Sequence, residues 1–107
     1  MNYTTHNFGL DDIEAIEGDG AESELEYYES IQRAINSGMW GLQGSYGRVM
    51  MDALKGGYCM LGIHRAQDYY GTTIPSRDDV QEGTKGSYEY VVRMQGQEWA
   101  DMMGDLI

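Results

Sequence analysis

The stretch Ala21-Glu22-Ser23-Glu24-Leu25-Glu26-Tyr27-Tyr28-Glu29-Ser30-Ile31-Gln32-Arg33-Ala34-Ile35-Asn36 decides how this chain is read. Leu25, Tyr28, Ile31 and Ile35 recur at spacings of three, three and four. That period predicts a helix over 21–36 with one buried stripe. Its first turns are acidic, which suits the positive end of a helix dipole, and Asn36-Ser37-Gly38 supplies a stop. Glu22, Glu26 and Glu29 recur at four and three and so share one exposed face. Arg33 follows Glu29 by four, the spacing of an ion pair. Carboxylates four residues apart stand about 6 Å apart along a helix axis.

Upstream of this helix the acid continues. Residues 1–32 hold Asp11, Asp12, Glu14, Glu17, Asp19, Glu22, Glu24, Glu26 and Glu29, with no lysine or arginine before Arg33. The chain as a whole has 107 residues and a formal charge of −11, and its last 75 residues, with nine acids and seven bases, contribute only −2. The division is therefore an acidic segment, 9–32, on a near-neutral helical and sheet body, 33–107, within a single domain, 1–107. Asn2 to Phe8 predicts a short edge strand, Leu10 to Glu17 one or two helical turns, and Gly18-Asp19-Gly20 a break.

Downstream, Met39, Leu42, Tyr46, Val49, Met50, Ala53 and Leu54 keep a helical period, interrupted by glycines at 38, 41, 44 and 47. A glycine inside a helix costs about 1 kcal/mol relative to alanine, so the helix is expected to begin at Ser45 and end at Gly56-Gly57. Cys59 to Tyr70 predicts a third helix and Tyr70 to Ile74 an extended piece ended by Pro75. Ser76 predicts a cap over a single turn, and Gly83 to Gly86 a further turn. Tyr88, Tyr90, Val92 and Met94 alternate with Glu89, Val91 and Arg93, which predicts a strand. Residues 97–106 predict a last short helix with Trp99, Met102 or Met103, and Leu106 on one side. The fold class expected is α+β: three to four helices with a small two- or three-stranded antiparallel sheet.

Leu, Ile, Val and Phe make up only 18 of 107 residues, so the core must lean on eight Met, nine Tyr and two Trp. Cys59 is the sole cysteine, which excludes an intramolecular disulfide and fits a reducing, cytoplasmic setting. Met1 to Gly9 has neither a basic nor an apolar leader pattern, and no apolar run has membrane-spanning length. The acid excess disfavours a phosphate backbone or an anionic membrane and favours a basic partner.

Catalytic and metal signatures are weak. Cys59 and His64 stand five apart, so on a helix their side chains diverge. His6 has no second ligand at metal spacing. Glu17 to Glu22 places glycines where a calcium loop needs ligands. No phosphate-binding glycine motif occurs, and neither Ser45 nor Ser76 sits in a nucleophile elbow. The expectation is a non-enzyme without cofactor or metal.

Two resemblances remain. Ala53-x-x-x-Gly57 followed by Ile63 and Ala66 resembles a helix-turn-helix, which implies a recognition helix over 58–68 with His64 and Arg65 toward DNA. A plain αα-hairpin carries the same residues. In size, acidity and the run from Asp11 to Glu29, the chain is similar to small phage-type counter-defence inhibitors, the anti-CRISPR and anti-restriction proteins of the nucleic-acid-mimic class. That resemblance implies an acidic protein inhibitor that binds the basic groove of a nuclease or effector complex and blocks DNA or RNA. It would act in the host-cell cytoplasm if the chain is phage-encoded. Asp11, Asp12, Glu14, Glu17, Asp19, Glu22, Glu24, Glu26 and Glu29 would stand in for phosphates, with Tyr27 as an aromatic anchor. The alternatives are a small DNA-binding regulator using residues 45–70 and a phage-type assembly protein, each compatible with a homodimer.

Overall fold

A computed structural model describes residues 9–17, 23–41, 45–68 and 70–106. The described elements are α1 (Leu10–Glu17), α2 (Glu24–Asn36), a 3-10 turn (Met39–Gly41), α3 (Ser45–Lys55), β1 (Ala66–Gln67), β2 (Thr73–Ile74), α4 (Tyr88–Gln95) and α5 (Gln97–Gly104). The class is α+β, with a two-stranded antiparallel sheet that pairs Ala66 with Ile74 and Gln67 with Thr73. The strand expected over 2–8 and the break at Gly18-Asp19-Gly20 lie outside the described residues.

Helix α2 forms for local reasons. Ser23 is extended, and its hydroxyl accepts the Glu26 N–H at 3.1 Å. Glu24 and Glu26 occupy the first turn and Arg33 the last, both favourable to the helix dipole. The helix ends where Gly38, at φ +71, donates its N–H to the Ile35 carbonyl. The expected stripe is inward: Ile31 and Ile35 are buried and Leu25 and Tyr28 pack on the core edge. Helix α3 starts at Ser45 and stops before Gly56, as the glycine pattern requires.

Gly57 sets the course of the chain beyond α3. Its φ is +74, and a Cβ there would stand 2.5 Å from Met94 Cβ and Cγ. The chain does not return to helix after this turn. Cys59, Met60 and Leu61 are consecutive and all buried, which one helix face cannot provide. The backbone of Met60 and Leu61 is satisfied by distant groups: Met60 by the Gln32 side chain, and Leu61 N–H by the Gly86 carbonyl at 2.9 Å. The third helix expected over 59–70, and the recognition helix over 58–68 implied by the helix-turn-helix resemblance, are therefore corrected. Residues 56–65 form an irregular segment that is buried from Cys59 to Gly62 and exposed from Ile63 to Arg65, where Arg65 binds Asp79.

The strand expected over 88–94 is also corrected, to helix α4. Ser87 is extended, and its hydroxyl accepts the Tyr90 N–H at 3.1 Å, which starts a helix. Along that helix Tyr88, Val91, Val92 and Gln95 turn inward or half-inward at helical spacing, while Glu89, Arg93 and Met94 face solvent. The sheet arises instead from Ala66–Gln67 and Thr73–Ile74, joined by a turn at whose base Asp68 Oδ1 accepts the N–H groups of Tyr70 and Thr72.

The core sits among α2, α3, α5 and the irregular segment. Met50, Met60 and Met103 are fully buried, beside Ile31, Leu54, Trp40 and Val91. Methionine thus fills the space that Leu and Val leave, while tyrosines form the rim. Among the described residues no helix is long and apolar enough to cross a membrane.

Candidate partner-binding surface

Helix α1 lies against α2, and Asp12 is the reason. Its Oδ2 accepts the Gly9 N–H at 3.0 Å, so it caps its own helix. Its Oδ1 accepts from Ser30 Oγ at 2.9 Å and from Arg33 Nη1 at 2.8 Å. Asp12 is only 6% exposed, so this carboxylate is turned inward rather than offered to a partner. Arg33 pairs with it rather than with Glu29, the partner its spacing suggested.

The α1–α2 junction leaves a cleft of about 390 Å³ lined by Asp12, Glu14, Ala15, Glu26, Glu29, Ser30 and Arg33. Four carboxylates against one guanidinium leave the lining at a formal −3. Glu14 is exposed and Glu26 and Glu29 are half-buried, and Glu14 and Glu29 make no ion pair among the described residues. Glu24 lies away from the cleft, on the side of α2 that carries Tyr28. Asp11 and Glu17 belong to α1, but their side chains lie outside the described residues, as do Asp19 and Glu22 entirely.

Tyr27 meets Tyr28 edge-on at 5.1 Å and 79°. The sequence places these two side by side but gives no sign of the group they belong to. The Tyr28 ring stacks on Tyr58 at 4.2 Å and 6°, and Trp99 stands edge-on to both at 6.1 Å. The backbone beneath is pinned: Trp99 Nε1 donates to the Tyr58 carbonyl at 2.8 Å, and Cys59 Sγ donates to the Tyr28 carbonyl at 3.4 Å. Burial pushes the Tyr28 phenol up to about 12, with the neighbouring Tyr58, Tyr27 and Glu24 adding to it. Residues 28, 58 and 99 share no local pattern, so no sequence signal joins them.

Two bases of the body are held by partners within the chain. Arg65 holds Asp79 through two hydrogen bonds, of 2.7 and 3.0 Å. Arg77 Nε donates to the Leu61 carbonyl at 2.7 Å, and burial lowers the pKa of this guanidinium. Meanwhile Glu98 and Asp101 on α5, and Asp105 just beyond its end, stand exposed at spacings of three and four. The spacing was visible in the sequence, but the near-neutral body charge obscured it. Cys59 is buried, and burial raises its thiol pKa, so it is no nucleophile in the folded chain. Among the described residues no three His, Cys, Asp or Glu side chains are placed to hold a metal. Comparison with protein-family models, with curated proteins and with solved structures finds no match to this chain.

Proposed function

We propose that this protein is an acidic inhibitor that occupies the basic nucleic-acid-binding groove of a nuclease or effector complex. The observation that supports this best is the α1–α2 cleft, where Glu14, Glu26 and Glu29 are gathered around a buried Asp12–Arg33 pair. The two helices that carry these carboxylates are docked on each other, so a partner's lysines and arginines meet them without ordering the backbone. The acidic field speeds encounter and repels nucleic acid from the same groove. Asp12 acts in this reading as the tether of α1, and Glu14, Glu26 and Glu29 as the contacting groups.

The test is reversal of Glu14, Glu26 and Glu29 to Lys, followed by capture of partners from a nuclease-treated and an untreated lysate. The wild-type protein is expected to retain a basic nucleic-acid enzyme, to release it as salt rises, and to compete with DNA or RNA for it. The reversed protein is expected to lose it. Equal capture by both proteins sinks the proposal.

A further inference from the structure

The Tyr28–Tyr58–Trp99 group differs from the Tyr90 ring in one respect. Tyr90 has its own cation: the guanidinium carbon of Arg93 stands 5.1 Å from its ring centroid. No lysine or arginine among the described residues stands over Tyr27, Tyr28, Tyr58 or Trp99. All four residues are half-buried at the edge of the core. The hydroxyls of Tyr27, Tyr28 and Tyr58 make no hydrogen bond among the described residues. Glu24 stands exposed one turn before Tyr28 on the same helix. An electron-rich ring surface bordered by a carboxylate and lacking its own cation complements a guanidinium in charge, shape and stacking.

We infer that the rings of Tyr27, Tyr28, Tyr58 and Trp99, with Glu24 at their border, receive an arginine side chain from a basic polypeptide segment of the partner. The inference rests on the proposed inhibitor reading and names the chemistry of a second contact within it. Arginine is favoured over lysine because its flat guanidinium stacks on a ring while its edge donates to a carboxylate. A nucleic-acid strand, which would also stack on rings, meets repulsion from Glu24 and from the exposed acids of α5.

The experiment titrates the full chain with an oligoarginine peptide, an oligolysine peptide of equal length and a single-stranded oligothymidylate, following tryptophan emission and the indole N–H resonance of Trp99. Oligoarginine is expected to bind saturably and tighter than oligolysine. Tyr58→Leu is expected to weaken oligoarginine binding about five- to tenfold, with Tyr58→Phe close to wild type. If Tyr58→Leu fails to fold, Tyr27→Leu at the rim is expected to show a loss of the same sign. Equal affinity for the two peptides, undiminished binding by the folded leucine variant, or preference for oligothymidylate overturns the inference. Partner capture separates the two ideas. If the Glu14, Glu26 and Glu29 reversal loses the partner while folded Tyr58→Leu keeps it, the inference falls and the inhibitor reading stands. The opposite pattern removes the cleft and keeps the rings.

Discussion

The side chain of Gln32 binds the backbone of Met60 as a neighbouring strand would. Its Nε2 donates to the Met60 carbonyl at 2.8 Å, and its Oε1 accepts the Met60 N–H at 2.8 Å. Nε2 also reaches Asn36 Oδ1 at 3.0 Å, and Asn36 Nδ2 in turn donates to the Leu106 carbonyl. Both Gln32 and Met60 are fully buried. One amide thereby ties α2 to the irregular segment and, through Asn36, to the end of α5.

Replacing Gln32 by Leu leaves a buried donor and a buried acceptor at Met60 without partners. Each unsatisfied group costs about 1–3 kcal/mol, so we expect a loss of about 3 kcal/mol in a denaturant melt. Gln32→Glu carries a sign that can be checked. A buried carboxyl facing the Met60 carbonyl is favoured in its protonated form, so its folded pKa lies above its unfolded one. The variant's stability should therefore be greatest below the ordinary glutamate range and fall as pH rises through the raised folded value. A pH-independent difference from wild type would contradict this.

Asp12 and Arg33 form the second prediction. Removing one partner of a buried pair costs about 3–5 kcal/mol, and with Arg33 21% exposed the lower figure is the better guide. Asp12→Ala should therefore cost about 3 kcal/mol. The amides of α1 should lose hydrogen-exchange protection ahead of those of α3. A double-mutant cycle with Arg33→Met should return a coupling energy well above that of an exposed pair.

Two glycines separate conformational cost from crowding. Gly57 and Gly71 both have positive φ, +74 and +85, but only Gly57 has a neighbour in the way of a Cβ, at 2.5 Å from Met94. Gly71→Ala should cost about 1 kcal/mol for the left-handed backbone alone. Gly57→Ala adds an overpacking penalty of about 1–3 kcal/mol, and truncating Met94 to Ala should recover only a fraction of that penalty, because the Met94 Cβ stays 2.5 Å from the new methyl. Thermal melts of the three variants decide the matter.

Acid should act on the turn at residues 76–79. Arg65 and the Ser76 N–H hold the Asp79 carboxyl well below the usual carboxylate range. Because the folded pKa is depressed, the contribution of this group is present above the ordinary carboxylate range and is lost as pH falls through the folded value. In an NMR titration the Asp79 carboxyl should titrate below the other aspartates, and Arg65→Gln should bring it back toward them. An unchanged midpoint would refute the pairing in solution.

The elements that were legible in the sequence are those whose cause is local. The Leu25–Ile35 stripe and the stop at Asn36-Ser37-Gly38 define one helix, and Ser45 and Gly56-Gly57 bracket another. Helix α4 was not legible because the same residues carry a two-residue period at Tyr88, Tyr90, Val92 and Met94 and a helical one at Tyr88, Val91, Val92 and Gln95. The cap at Ser87 chooses between them. Residues 60–65 had no local signal, since their partners are Gln32, Gly86, Arg77 and Asp79. The acids of the candidate surface could be read, but not the inward turn of Asp12, which depends on Ser30 and Arg33 eighteen and twenty-one residues later. The ring group at 28, 58 and 99 exists only after folding.

The single thiol has a practical consequence. Cys59 is fully buried, and its Sγ is bonded to the Tyr28 carbonyl under the ring stack. An alkylating reagent can reach it only when that region opens. The unmodified protein thus carries its own stopwatch: the rate of single-site alkylation counts opening events directly, without an added label. A partner seated on the rings above should slow that count.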